Sequence, residues 1–104
     1  MDDKINEIIA HRQGTHGVFT ENSATIQATK DLWRSTPNWS RLRPFQREAL
    51  DMVAHKAGRI LHGDPDFLDH WEDPIGYLLR VVEQLRKEHE KRAIKTGSEY
   101  GEDN

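Results

Sequence analysis

PFQREALDMVAHKAGRILHGDPDFLDHWEDPIGYLLRVVEQL, Pro44 to Leu85, decides the fold class. In its first half Leu50, Val53, Ala54, Ala57, Ile60 and Leu61 recur three and four residues apart, the spacing of one helix face. Pro44 suits a first helical turn, where its missing N–H had no partner. The pattern runs to about Leu61 and Gly63 closes it. A second helix starts within DHWEDP, where Asp69 followed by Glu72 reads as a capping box. Asp73 before Pro74 offers another start. Trp71, Ile75, Leu78, Val81, Val82 and Leu85 continue it into RKEHEKRAIK, a solvated end.

The flanks repeat the theme. Ile5, Ile8 and Ile9 mark a short helix from Asp2 to about Arg12, capped by Asp2 or Asp3. RQGTHGVF reads as a turn, with Gly14 and Gly17 around Thr15 and His16. A further helix starts near Thr20 or Glu21 and runs through Ala24, Ala28 and Leu32 to Trp33, where Ser35 to Asn38 breaks it. The tail, 96–104, reads as disordered. The expectation is one all-α domain over 1–95, a small bundle of about four helices.

The chain has 104 residues, 35% hydrophobic and 32% charged, with a mean hydropathy of -0.89. Such a chain has a lean core, or completes its core by self-association. Fifteen basic and 18 acidic residues give a net charge of -3, which argues against a general polyanion binder. RLRPFQR, Arg41 to Arg47, is a local basic patch whose three arginines could meet DNA phosphates. No cysteine is present, which excludes disulfides and thiolate zinc sites and fits a reducing cytoplasm. No signal peptide or membrane span is apparent.

On a helical wheel Glu48, Asp51, His55 and Arg59 share the polar arc of the Pro44 helix, with Lys56 at its margin. Asp69, Asp73, Gly76 and Arg80 align on the next helix, with Tyr77 at the edge. Each helix thus carries two carboxylates a turn apart, then a cation. Face to face, the pairs would repel unless a cation sat between them, and Mg²⁺ suits an all-oxygen cluster that reaches substrate phosphates. The plain alternative is two solvated faces, as on any amphipathic helix.

RQGTHGVF, PNWSRL, QREALDMVAHKAGRI and HGDPDFLDHWEDPIGY together resemble a family of small uncharacterised proteins of tailed phages and prophages. The likeness spans about Arg12 to Leu85, and RQGTHG differs slightly in spacing from that family's first block. A more distant likeness is to the all-α nucleotide pyrophosphohydrolases of the MazG and dUTPase type. Those enzymes bind Mg²⁺ through E-x-x-E and E-x-x-D on successive helices, and they form dimers or tetramers. Glu48 and Asp51 fit the first pair; Asp69 with Glu72, or Asp69 with Asp73, approximates the second.

The resemblance implies a phage or prophage accessory protein with a Mg²⁺-dependent nucleotide-phosphate site, oligomeric and in the host cytoplasm. Glu48, Asp51, Asp69 and Asp73 would hold the metal. Lys56, Arg59 and Arg80 would stabilise phosphate charge, and His16 and Tyr77 would position the ligand. The runner-up is a non-catalytic protein that binds a host protein or sequesters a nucleotide signal. A zinc site from His55, His62 and His70 with a carboxylate lacks the usual ligand spacing. Trp33, Trp39 and Trp71 read as core or interface anchors.

Overall fold

The computed structural model describes residues 2–96, and these are all-helical, with no strand among them. The elements are α1 (Asp3–His16), α2 (Phe19–Arg34), a 3₁₀ turn (Trp39–Arg41), α3 (Pro44–His62) and α4 (Leu68–Thr96). Of the expected tail only Thr96, the last residue of α4, is described; the rest lies outside the described residues.

Asp2 caps α1 by accepting the Lys4 N–H at 2.9 Å. The helix then continues past Arg12, through Gly14, to His16, one turn beyond expectation. Gly17 ends it at φ 84°, a left-handed conformation that glycine adopts without a Cβ penalty. In α3 Pro44 takes the first helical position, and the Gln46 side chain accepts the Arg43 N–H at 2.9 Å. The start of α4 corrects the sequence reading. The helix begins at Leu68, so Asp69 and Glu72 lie inside it and form no capping box. Pro74 also lies inside, where it leaves the His70 carbonyl without its helical N–H. The turn before it explains the early start: Asp64 accepts the Asp66 N–H at 2.9 Å, and its carbonyl accepts the Phe67 N–H at 3.2 Å.

α3 is central, with α2 and α4 packed along it and α1 touching it more lightly. Its buried residues are Ala49, Ala54, Lys56 and Gly58. Three of the four are small, which lets neighbouring helices approach closely. A Cβ on Gly58 would lie 2.6 Å from Ile26 Cγ1 of α2. The fully buried apolar set is short: Ile26, Ala49, Ala54 and Ala93. The shape follows. The radius of gyration is 18.6 Å, against about 13 Å for a compact domain of this length.

Along α4, His70, Pro74, Tyr77, Val81 and Leu85 are buried or half-buried, and Tyr77 and Val81 face Glu48 and Ala49 of α3 across a shared cavity. This face is offset from the apolar arc of the wheel. Trp71, Ile75, Leu78 and Val82 stay 40% exposed or more, and on α3 Leu61 is 70% exposed.

Candidate functional site: a basic cavity between α1, α2 and α3

Two stretches far apart in sequence, Thr15–Gly17 and His62–Asp64, are stitched together. The Asp64 N–H donates to the Thr15 carbonyl at 3.0 Å, and His70 Nε2 approaches the same oxygen at 2.7 Å. Gly17 and Gly63 make this closeness possible: a Cβ on Gly17 would meet the His62 carbonyl carbon at 2.7 Å, and one on Gly63 would meet Gly17 N at 2.7 Å. His70 is 1% exposed. It sits edge-on to His16 at 4.9 Å and to Phe67 at 4.8 Å between ring centroids. Trp71 secures the turn by donating its indole N–H to the Pro65 carbonyl at 2.7 Å. The acidic stretch from His62 to Trp71 is therefore a hydrogen-bonded joint between α1 and the start of α4.

Beside this joint lies a cavity of about 450 Å³, within the range of small-molecule sites. Arg12 and His16 reach it from α1, Lys30 from α2, and His55 and Arg59 from α3. Asn22, Ser23 and Gln27 add polar groups, Ile9, Phe19 and Ile26 apolar ones, and no Asp or Glu lines it. Phe19 is 79% exposed at the cavity wall. Asn22 is buried; its amide donates to the His16 carbonyl at 2.5 Å, while its Oδ1 has no hydrogen-bond partner.

The electrostatics record unbalanced positive charge. Burial, then the charges of Arg59, His70, Arg12 and Lys56, push His16 down to about 4. Burial, with Arg59, Lys56 and Lys30, holds His55 below its ordinary value. Burial and Arg12 also lower Arg59, against a small opposing pull from Asp73.

The expected site residues are distributed over several places. His16 and Arg59 line the basic cavity. Glu48, Tyr77 and Arg80 share a separate cavity of about 350 Å³ between α3 and α4. Lys56 is nearly buried and its ammonium lies 3.0 Å from Asp73. Asp51 Oδ1 lies 4.0 Å from Arg34 Nη2 and has no hydrogen bond. Asp69 is exposed in the first turn of α4. Glu48, Asp51, Asp69 and Asp73 thus do not converge, and the described residues hold no group of three or more His, Asp or Glu placed to bind a metal. His55, His62 and His70 are likewise apart: His62 meets the Thr25 hydroxyl at 2.6 Å, and His70 is occupied at the joint.

The arginines of RLRPFQR are engaged within the chain. Arg43 pairs with Glu88 at 2.5 Å and lies over the Phe45 ring, Arg47 donates to the Ser40 carbonyl, and Arg41 reaches Asn38. Sequence reasoning missed Arg12, Phe19, Asn22 and Lys30 as cavity residues. Arg12 does begin the RQGTHG block, but nothing along the chain brings Lys30 to it. No helix of the described residues is long and apolar enough to cross a membrane. No family model, curated protein or solved structure matches the chain.

Proposed function

We infer that the protein binds a phosphate-bearing small molecule of nucleotide type in the cavity between α1, α2 and α3, without a metal and without turnover. One observation carries this reading: Arg12, Lys30 and Arg59 line one open-sided cavity that no carboxylate lines. Guanidinium and ammonium groups held near one another repel until an anion enters, and phosphate accepts several charge-assisted hydrogen bonds at once. The exposed ring of Phe19 offers a stacking surface for a base. A binder of this kind accords with a phage accessory protein that sequesters a nucleotide signal.

The test is thermal unfolding of the whole chain with inorganic phosphate and with nucleoside mono-, di- and triphosphates, each in EDTA and in Mg²⁺. Ligand at 100 times its Kd adds about 2.7 kcal/mol of stability. For a domain of this size each kcal/mol is worth ~4–8 °C in Tm. The expected result is a rise that EDTA leaves unchanged. In Arg59→Ala, affinity should fall at least tenfold, or about 1.4 kcal/mol. No rise with any phosphate compound would refute the reading; a rise that requires Mg²⁺ would restore the metal-dependent one.

A further inference from the structure

We propose that the uncovered apolar face of α4 is the surface on which a second copy of this chain packs, with the two α4 helices antiparallel. Leu68, Trp71, Ile75, Leu78, Val82 and Leu85 are spaced alternately by three and four residues, the seam of a helix pair. The first five are 40–64% exposed, and Leu79 beside them is 57% exposed. Their exposed surface is on the order of 500 Å², near the upper end of what a monomer leaves in one patch. A standard interface buries about 800 Å² per partner, of which this seam alone would account for more than half.

Charge selects both the partner and its direction. The N-terminal end of α4 carries Asp69, Glu72 and Asp73, and the C-terminal end carries Arg86, Lys87, Lys91 and Lys95 among fewer acids. Antiparallel pairing about a two-fold axis between Leu78 and Leu79 sets Ile75 opposite Val82 of the second copy and Leu78 opposite its Leu79. It also brings Glu72 and Trp71 to Arg86 of the second copy. Parallel pairing would set Glu72 on Glu72 and Arg86 on Arg86, a repulsive arrangement. Ile75 with Val82 and Leu78 with Leu79 thus form a symmetric apolar centre about that axis, flanked by Trp71 against Arg86 and Leu85 against Glu72, the two-fold repetition that a self-complementary interface requires. No α4 residue lines the basic cavity, so this proposal and the ligand reading stand or fall separately.

The absence of cysteine makes the test clean. Sedimentation equilibrium of the full chain at micromolar concentration should give twice the 12.1 kDa chain mass. Leu79→Glu should weaken association at least 100-fold while helical circular dichroism persists, because Leu79 is exposed in the single chain. On oxidation, an equimolar mixture of Ile75→Cys and Val82→Cys should cross-link into mixed dimers, and Ile75→Cys alone should not. Glu72→Arg and Arg86→Glu should each weaken the dimer, and their combination should restore it. A monomer at every concentration, a dimer indifferent to Leu79→Glu, or faster cross-linking of Ile75→Cys with itself would overturn the proposal.

Discussion

Lys56 carries the sharpest residue-scale consequence. The wheel puts it at the margin of a polar arc, yet it is 9% exposed and meets Asp73 at 3.0 Å. A nearly buried ammonium that loses its carboxylate is left uncompensated, whereas an apolar replacement of the ammonium removes the desolvation cost with the charge. Asp73→Asn should therefore destabilise the chain by about 1–2 kcal/mol, a value reduced by the half-exposure of Asp73. Lys56→Met should cost less than Asp73→Asn. Urea unfolding followed by circular dichroism reads both. Phosphate binding should survive both substitutions, since neither residue lines the basic cavity; a loss of binding in Asp73→Asn would return that carboxylate to the site.

Two glycines make an opposed pair at the scale of elements. Gly58 faces Ile26 across the contact of α2 with α3, where a Cβ would come within 2.6 Å of Cγ1 and 2.9 Å of Cδ1. Gly76 on α4 has no neighbour within 4 Å of a Cβ. Gly58→Ala should destabilise by ~1–3 kcal/mol through overpacking. Gly76→Ala should stabilise by ~0.5–1 kcal/mol through helix propensity. A common sign for the two would show that the close approach of α2 to α3 is not what holds α3 in place. Element boundaries were legible where a local signal sufficed, as with Pro44 and Gly63 around α3 or Asp2 at α1. They were misread where tertiary contacts extend a helix, as in the last turn of α1 and the first of α4. There Thr15 and His70 bond across the joint, and local capping signals such as Asp69 with Glu72 carry no information about that contact.

For the whole molecule, the basic cavity links stability to pH. His16 titrates near 6.5 unfolded and about 4 folded, so as pH falls the unfolded chain takes the proton first. Its contribution is fully present above about pH 6.5, declines between 6.5 and 4, and changes no further below that. His55, lowered for the same reasons, acts in the same direction. The midpoint of thermal unfolding should fall from pH 7 to pH 5. Saturating phosphate should shrink that fall, because a bound anion favours the protonated ring. An equal slope with and without phosphate would place the anion away from His16.

The order of apolar and polar residues determined that this chain is helical, because helical periodicity, first-turn proline and terminal glycine act over a few residues at a time. It also carried the lean core and the charge of each helix face. Only the tertiary structure decided which faces meet. α4 turns Tyr77 and Val81 to α3 and leaves most of its apolar arc outside. Glu48, Asp51, Asp69 and Asp73 separate, while Arg12, Lys30 and Arg59 come together. The reason is geometric: a wheel sets angles within one helix, whereas a site depends on the relative rotation and height of several. Those are set here by small residues at the α2–α3 contact and by the joint between Thr15–Gly17 and His62–Asp64.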